Sequence, residues 1–537
     1  MGLKQRLQVK HGDVVSGVDS NADLDPIPRN SPRRTWGWVS LTGFWISEAF
    51  SISMYQVTST SVSKGLNAGL AIAAVVIGHM LVYIPVVLDG YVGSIYGINF
   101  PVLTRASYGM RGSYFAVLIR GLVAIIWFGT QTYQTGECIS SMIRAIWPSF
   151  QHLPNHLPNS GPITSAQLLC FFLAIIVQLP LLYLNIPQLR YLFLVKMVIM
   201  PIFGLTLFIW AVATAHGFGP VFSKPSQITD GTPVAVVFLQ CVTSAIGPKA
   251  TLALNMPDFT RYAHTPRQII WTQALGLIVL VSLCGVLGAT VTSASDVIYG
   301  VQTWNPLQVA ALWNNRAAQF FAALCWSLAA VGTNLSANSV SFSNDLSLWF
   351  PRYINARRGA YVCAVLSILS CPWYIQNEYG FIHKKDCKGL TFTPSAASFS
   401  SFLGGYSLFL GSLAGIIIVD YWIIRRQQLR VHSLYDSRGT HFFTRGFNLR
   451  AFIAFICGII PNLPGLANAC GQSGVPTGAV YLYSLSWLVS ILMSGGVYWV
   501  LCKIWPVAID KDEGGIWESV GVTTKEVENS SQQTESH

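Results

Sequence analysis

The sequence of 537 residues is poor in charge: 10% of its residues are charged, 52% are hydrophobic and the mean hydropathy is +0.48. A soluble protein carries charge on about a quarter of its residues. Seven long windows contain no Asp, Glu, Lys or Arg, and each can hold at least one bilayer-spanning helix of about 20 residues: 65–88, 145–189, 197–223, 268–295, 317–344, 389–419 and 451–502. The composition therefore excludes a soluble protein and predicts an all-α polytopic membrane protein.

Charge and cysteine usage exclude further classes. The net charge of +11 comes from Lys and Arg in short loops between apolar segments, so it does not indicate a nucleic-acid partner. The eleven cysteines are scattered without a CxxC pair, and no His/Cys/Asp/Glu cluster has the spacing of a metal or catalytic site. We therefore expect neither an enzyme nor a resident metal or cofactor. The polar residues 1–35 show no apolar core of a signal peptide.

The apolar segments predict twelve membrane spans between polar tails at 1–35 and 505–537. Residues 36–215 hold the first five spans, 233–424 the next five, and 448–504 two peripheral ones. The predicted spans are 36–60, 66–89, 113–138, 165–185, 192–215, 233–254, 269–292, 317–342, 360–376, 396–424, 448–468 and 480–503.

The distribution of basic residues predicts the orientation of these spans. The tails and the even-numbered loops carry 23 of the 33 Lys and Arg, whereas the odd-numbered loops carry seven. Basic residues are retained on the cytosolic side of a membrane. Both termini are therefore predicted to be cytosolic.

Three predicted spans are not uniformly apolar. The first contains the polar run FWISEAFSIS at 44–53, the sixth contains Gly247 and Pro248, and the eighth contains GTNLSAN at 332–338. Interrupted helices persist inside a membrane where they line a cavity, and in transporters they occur at matching positions of two repeats. Spans one and six, and three and eight, are five apart, which predicts two inverted five-helix units.

The third span contains a candidate receptor for a flat polar ring. Trp127 and Gln131 are four residues apart and share one helix face. An indole offers a stacking plane, and a carboxamide offers one donor and one acceptor. Packing against a neighbouring helix is the alternative for both side chains.

Several longer motifs resemble the nucleobase–cation symporter-1 family, in particular its fungal uracil, allantoin and uridine permeases. The resemblance extends from residue 21 to about 506. The motifs are NADLDPIP at 21–28, RTWGW at 34–38, INFPVLTRASYGMRGSYFAVLIRG at 98–121, IIWFGTQTYQTGE at 125–137, ATLALNMPDFTRYA at 250–263, GTNLSANSVSFSNDL at 332–346 and GGYSLFLGSLAGIIIVDYW at 404–422.

The resemblance implies a five-plus-five inverted-repeat core with two peripheral helices, and a substrate ring held by Trp127, Gln131 and Asn338. We add Ser53 of the first span to this candidate site. Lys249 stands where sodium-coupled relatives tend to have an aromatic residue that completes a sandwich with the tryptophan. A lysine cannot stack in this way, but its ammonium can donate to a substrate carbonyl. Either another aromatic such as Phe50 or Phe342 closes the sandwich, or the pocket is more polar than in the bacterial relatives.

The resemblance also implies a cation site between spans one and eight, which aligns with five positions: Ala49, Ile52, Ala329, Gly332 and Thr333. Gly332 lacks the hydroxyl that sodium-coupled relatives have there, so a co-transported proton is expected rather than sodium. Glu48 is the expected proton carrier, because carboxylates inside a membrane are costly and usually functional. The alternative is that Glu48 caps the broken helix or pairs with a Lys or Arg. Asp258 is expected to pair with Arg261 or to cap its helix.

Two segments fall outside the core. Residues 378–394 are longer than the family's connection between spans nine and ten, so they are either a surface loop or a retained intron in the gene sequence. The tail from Lys511 is polar and predicted to be disordered. Its Lys525 is a candidate for ubiquitin-linked endocytosis through a ligase or adaptor contact.

The resemblance implies a plasma-membrane importer of uracil or allantoin that works by proton symport and alternating access. A uridine or thiamine permease of the same family remains an alternative. A non-transporting nutrient receptor is the alternative from another class, although both tails are short for a signalling protein. The expected partners are the substrate, the proton and the lipid bilayer.

Overall fold

The computed structural model describes residues 8–9, 20–158, 161–228, 231–376, 396–437 and 439–509. Loop 378–394 and Lys525 lie outside these residues. Twelve long helices are present in the described ranges. They are α1, in two halves Trp38–Ala49 and Ile52–Ser63, α2 (Ala68–Tyr96), α3 (Ser113–Ile146), α4 (Ser165–Tyr183), α5 (Ile186–Thr214), α6 (Val234–Thr260), α7 (Pro266–Tyr299), α8 (Arg316–Trp349), α9 (Ala356–Leu369), α10 (Ala396–Ile418), α11 (Leu449–Ala469) and α12 (Ser486–Ile504).

Ten of these helices are long and apolar enough to cross a membrane. The other two are α1, which is divided into halves of 12 residues, and α9, which has 14 residues. The all-α fold agrees with the prediction, and most helices begin within a few residues of the predicted span. The helices α2, α3, α6, α7 and α8 continue six to eight residues beyond the predicted ends.

The break in α1 follows from its polar sequence. Phe50 and Ser51 have non-helical backbone angles, and the Ser51 side chain accepts a hydrogen bond from the amide of Met54. This capping contact starts a new helix immediately after the first one ends. The predicted interruption of the first span is therefore present.

The predicted break in α6 is wrong. The helix continues from Val234 to Thr260 through Gly247 and Pro248. A proline removes one hydrogen bond and kinks a helix without necessarily ending it. Gly247 instead permits a close approach, because a Cβ atom there would lie 2.6 Å from the carbonyl oxygen of Leu403 in α10.

The eighth span is irregular in a different way. Residues Asn334–Val340 within α8 form a π-helical segment, and all seven are buried. Such wide turns occur often at functional sites because they re-aim side chains. This segment contains both asparagines of the GTNLSAN motif.

The helices pack in two groups that meet at the centre. In one group α2 lies along α6, and Gly93 allows backbone contact, because a Cβ there would be 2.5 Å from Pro257 Cα. In the other group α3 packs along α8 and α4. Small residues permit such close crossings. In membranes helices associate mainly through this close packing, because lipid tails are as apolar as the side chains. The break of α1 faces α3 and α8 across this junction.

A buried ion network joins the two groups near the face at which residues 20–37 lie. Arg120 of α3 donates to Asp258 of α6 at 2.8 Å and to Asp345 of α8 at 2.5 Å. Asp258 also accepts from the amide of Phe100 at 3.1 Å, whereas Arg261 donates to the carbonyl oxygens of residues 23 and 25. Asp258 therefore pairs with Arg120, and the predicted pairing with Arg261 is wrong.

The N-terminal segment reinforces this closure. Asn21 donates to the carbonyl oxygen of Ile354 at 2.8 Å, and a carboxylate oxygen of Asp23 accepts from the amide of Ala356 at 2.8 Å. Because the Asp23 carbonyl binds Arg261 at the end of α6, the segment connects α6 with the start of α9. The NADLDPIP motif therefore connects the two groups of helices at this face through hydrogen bonds.

Candidate functional site

A narrow cavity lies where the break of α1 faces α3, α6 and α8. It is narrow in this closed structure, with a volume of about 20 Å³ that has room for roughly one water molecule. Four helices line it, with these residues: Glu48, Ser51, Ser53, Met54, Trp127, Gln131, Pro248, Lys249, Thr251, Thr333, Ala337 and Asn338. Five predicted substrate residues therefore lie at one cavity, Trp127, Gln131, Asn338, Ser53 and Lys249, whereas Phe342 does not line it.

Trp127 and Gln131 contribute one wall from α3. Both are buried, at 3% and 4% exposure, so neither side chain points towards lipid. The Oε1 atom of Gln131 is buried without a hydrogen-bond partner among the described residues. A buried unsatisfied acceptor costs about 1–3 kcal/mol, which a ligand that donates a hydrogen bond would recover.

Asn338 forms the opposite wall from the π-helical segment of α8. Its Nδ2 atom donates to Asn334 Oδ1 at 2.9 Å. Asn334 in turn donates to Gln178 Oε1 at 2.8 Å and to Thr132 Oγ1 at 3.1 Å. This chain of amides fixes the orientation of Asn338, so its Oδ1 atom remains the group available to accept from a ligand.

The aromatic neighbours of Trp127 come from α10. The ring centroids of Phe402 and Tyr406 lie 5.6 Å and 6.2 Å from that of Trp127. Phe50 instead packs towards Gly204 of α5, and Phe342 lies beside Gly121, outside the residues that line the cavity. The expectation that Phe50 or Phe342 closes an aromatic sandwich is not supported by this arrangement.

Ser53 lies at the cavity from the second half of α1. Its Oγ atom is buried and has no hydrogen-bond partner among the described residues. With Gln131 Oε1 and Trp127 Nε1, the residues that line the cavity have three buried polar atoms without a hydrogen-bond partner in the described ranges. A small neutral ligand with several donors and acceptors would satisfy them without bringing in charge.

Glu48 and Lys249 form a buried pair at one end of the cavity. The Nζ atom of Lys249 lies 3.5 Å from Glu48 Oε2 and donates to the Glu48 carbonyl oxygen at 3.0 Å. The other carboxylate oxygen of Glu48 accepts from Ser336 Oγ at 2.6 Å. The pairing considered as an alternative for Glu48 is therefore present, and Lys249 contacts Glu48 while it lines the cavity.

Lys196 of α5 occupies the space between α1 and α8. Its Nζ atom donates to the carbonyl oxygens of Ser47 and Ala329, both at 2.9 Å, and to Thr333 Oγ1 at 3.3 Å. Gly332 lies against the same side chain. The structure thus brings Ala329, Gly332 and Thr333 together around a lysine, whereas Ala49 and Ile52 are not among the residues that Lys196 contacts through hydrogen bonds.

The two lysines also cap the first half of α1. A helix ends with four carbonyl groups that lack partners within the helix. Here Ile46 and Ala49 accept from the backbone amides of residues 50 and 51, while Ser47 and Glu48 accept from Lys196 and Lys249. Cations are favoured at the C-terminal end of a helix dipole.

Several site residues were missed in the sequence. Lys196 carries the clearest signal among them, because a lone lysine in an apolar helix is itself a sign of function. The asparagine network through Asn334 and Gln178 has a weaker signal, because amides on different helices must meet in space. Phe402 and Tyr406 had no distinguishing pattern among the aromatics of α10.

Comparison with known proteins places the cavity in context. Residues 26–490 match the family described as permease for cytosine/purines, uracil, thiamine, allantoin. The chain is 32% identical over 504 residues to the allantoin permease of Saccharomyces cerevisiae, covering 91% of this chain and 76% of the permease. It is also 32% identical over 524 residues to the uracil permease of that yeast, covering 93% and 80% respectively.

The fold is similar to that of Mhp1, a nucleobase-cation-symport-1 family transporter solved in a closed conformation with bromovinylhydantoin bound. The TM-score is 0.68 with 21% identity, over 91% of this chain and 98% of that chain. This likeness assigns the helices to two inverted five-helix repeats with two peripheral helices. The chain belongs to the nucleobase–cation symporter-1 family and is a membrane transporter.

Proposed function

We propose that this chain imports uracil or allantoin by proton symport with alternating access. The observation that carries the proposal is the cavity itself, where Gln131 Oε1 lacks a partner in the part of the chain that the structure describes. Asn338 is oriented there by other amides beside the Trp127 indole. Uracil and allantoin are small, neutral and edged by alternating C=O and N–H groups. Carboxamides can meet such an edge without an ionised partner.

The closed packing supports a cycle in which access alternates. The proposed motion rocks α3, α4, α8 and α9 against α1, α2, α6 and α7. The Arg120 network and residues 21–23 connect these groups at one face, so opening there requires both contacts to separate. The excess of Lys and Arg in loops at this face supports a cytosolic location for it. Import then begins from the opposite, extracellular face, and the plasma membrane is the proposed location.

Glu48 is the proposed proton carrier. It is 1% exposed, lines the cavity and pairs with Lys249, so its charge state affects the substrate site directly. A proton on Glu48 would remove the charge that holds Lys249, which frees that ammonium to donate to a substrate carbonyl. Binding of proton and substrate would thereby favour each other, as coupled transport requires.

The experiment is uptake of radiolabelled uracil and allantoin in a permease-deficient yeast, with external pH and sodium varied separately. We expect saturable uptake that falls as external pH rises and does not depend on sodium. Uptake that needs sodium and ignores pH would contradict proton coupling. Saturable uptake of neither compound, with the protein present at the cell surface, would contradict the proposed substrates.

A further inference from the structure

We propose that a second cavity, here called the outer cavity, is an additional binding site for a small neutral molecule of the ureide or cyclic-amide class. Its volume is about 190 Å³, against about 20 Å³ for the central cavity at Trp127. A cavity of about 150 Å³ is large enough to bind benzene, so the outer cavity has room for a six-membered ring. It is lined from α3, α4 and the segment before α8 by these residues: Tyr133, Gly136, Glu137, Ser140, Ser141, Arg144, Gln167, Asn305, Leu307, Gln308 and Ala311.

The outer cavity lies along the second half of α3, on a different side from the central cavity. Four of its α3 residues are spaced four, three and four apart and therefore share one side of the helix: Tyr133, Glu137, Ser140 and Arg144. Glu137 is six residues beyond Gln131, about 9 Å further along the helix axis and roughly a third of a turn around it. The two sets of lining residues do not overlap. The outer cavity is thus a separate place on the same helix, towards the end that is remote from the Arg120 network.

Glu137 and Arg144 give the outer cavity one carboxylate and one guanidinium. Glu137 is partly buried and Arg144 is exposed. Their positions are about 10 Å apart along the helix axis, and neither belongs to the ion pairs of the described residues. A carboxylate can accept two parallel N–H groups, and a guanidinium can donate to a carbonyl oxygen. Because the two charges balance, they suit a neutral ligand with N–H groups at one end and a C=O group at the other.

Other polar groups of the outer cavity are available to the same ligand. The Oγ atom of Ser140 is buried and has no hydrogen-bond partner in the described part of the chain. Asn305 accepts from the amide of Leu307 through Oδ1 at 3.0 Å. Gln167 accepts from the amide of Thr164 through Oε1 at 2.9 Å. Since both carboxamide oxygens are used within the protein, their NH₂ groups remain as donors, and they complement the carboxylate acceptor.

One wall of the outer cavity connects the two groups of helices. The carbonyl oxygen of Trp304 accepts from Ser59 Oγ, in the second half of α1, at 2.9 Å. The short helix Pro306–Ala311 follows directly and lines the cavity opposite α3. A ligand in the outer cavity would contact α3 and this segment at once. The site therefore belongs to the junction of the two groups and not to one helix alone.

The test measures equilibrium binding of radiolabelled uracil and of radiolabelled allantoin to the purified full chain in detergent. Asn338→Ala impairs the central cavity, whereas Glu137→Gln removes the charge of the outer carboxylate and keeps its shape. Arg144→Gln is a second outer-cavity variant at an exposed position, and Asp296→Asn is the control at an exposed carboxylate outside both cavities. We expect each of the first three variants to keep about half of the wild-type binding capacity, because separate sites act independently. The control should keep all of it, and E137Q/N338A should lose it.

The ligand class rests on the proposed function, but the outcomes separate the two. Complete loss of binding in Asn338→Ala, with the variant folded by size-exclusion chromatography, would overturn the outer site and leave the proposed function standing. Unchanged capacity in both Glu137→Gln and Arg144→Gln would also overturn the outer site. Binding that persists in Asn338→Ala and is lost in E137Q/N338A, without uptake of either compound by cells, would support the outer site and contradict the proposed function. Binding of neither compound to the wild type would contradict both.

Discussion

At the scale of single residues, the proposed recognition depends on two carboxamides that the protein leaves available inside an apolar environment. Among the described residues, Gln131 Oε1 has no partner, and Asn338 is held by Asn334 through its donor atom. Burial without a partner is unfavourable, so ligands that complete these hydrogen bonds are selected. Neutral planar rings with adjacent donors and acceptors fit this requirement.

The first prediction concerns Asn338. Replacing it with alanine removes an oriented acceptor and leaves one substrate N–H unpaired, at a cost of about 1–3 kcal/mol. We expect the KM of uptake to rise about 5- to 150-fold, or saturation to disappear, with normal surface expression. Asn468→Ala, which removes an exposed amide outside the cavity, is the control. An unchanged KM for Asn338→Ala would refute the role of the amide.

The second prediction concerns the ring of Trp127. Trp127→Phe keeps an aromatic plane, whereas Trp127→Ala removes it, and an aromatic contact contributes about 0.5–1.5 kcal/mol beyond its buried area. Competition against radiolabelled substrate should therefore show a loss of about tenfold or more for alanine and a smaller loss for phenylalanine. Equal losses in the two variants would indicate that packing, and not stacking, explains this residue.

Residues that share one helix were the easiest to place together from the sequence. Helical spacing alone places Trp127 and Gln131 on one face of α3. Asn338 was predicted through the family resemblance of the GTNLSAN motif. The chain of contacts that orients Asn338 joins α3, α4 and α8, and no spacing in the sequence reports such a meeting. Lys196 shows the same limit, because its role depends on Gly332 and Ser47 from two other helices.

At the scale of helices, a proline predicted a break in a helix less reliably than a run of polar residues did. In α1 the Ser51 side chain captures a backbone amide and starts a new helix, so the break is stabilised. In α6 Pro248 has no such competitor, and the hydrogen bonds on either side maintain the helix. The irregular part of α8 takes a third form, a π-helical segment.

The third prediction concerns the network that joins α3, α6 and α8. Asp345→Asn removes the charge that accepts from two Arg120 nitrogens at 2.5 Å and 2.9 Å. Loss of one partner from a buried ion pair costs about 3–5 kcal/mol. The purified variant should unfold at a temperature several degrees lower than wild type, whereas Asp296→Asn, at an exposed carboxylate, should not change it. A matching temperature for both variants would contradict a structural role for this network.

At the scale of the whole molecule, low charge and long apolar windows were sufficient to predict a helical membrane protein. The first residues of most spans were also predictable within a few residues, whereas several helices continue six to eight residues beyond their predicted ends. The closed conformation could not be predicted from the sequence. Closure depends on contacts of Arg120 and of the N-terminal segment with residues that are distant in the chain. The structure shows a chain closed at the face that carries its N-terminal segment.

The fourth prediction concerns coupling across the whole transport cycle. Glu48→Gln keeps a side chain of similar shape at the cavity but cannot gain or lose a proton. Wild-type uptake should fall as external pH rises, because the inward proton gradient falls, while the variant should show a flat pH profile and little accumulation. Asp296→Asn, which changes an exposed carboxylate outside the cavity, is the control. A wild-type pH profile in Glu48→Gln would exclude Glu48 as the carrier.

The most direct test of the account is a cryo-electron microscopy map of the full chain with uracil or allantoin bound. The account predicts ring density stacked on the Trp127 indole, with polar edges within hydrogen-bond distance of Gln131 and Asn338. Absence of ligand density from this cavity, or a ring in it that contacts neither carboxamide, would contradict the account.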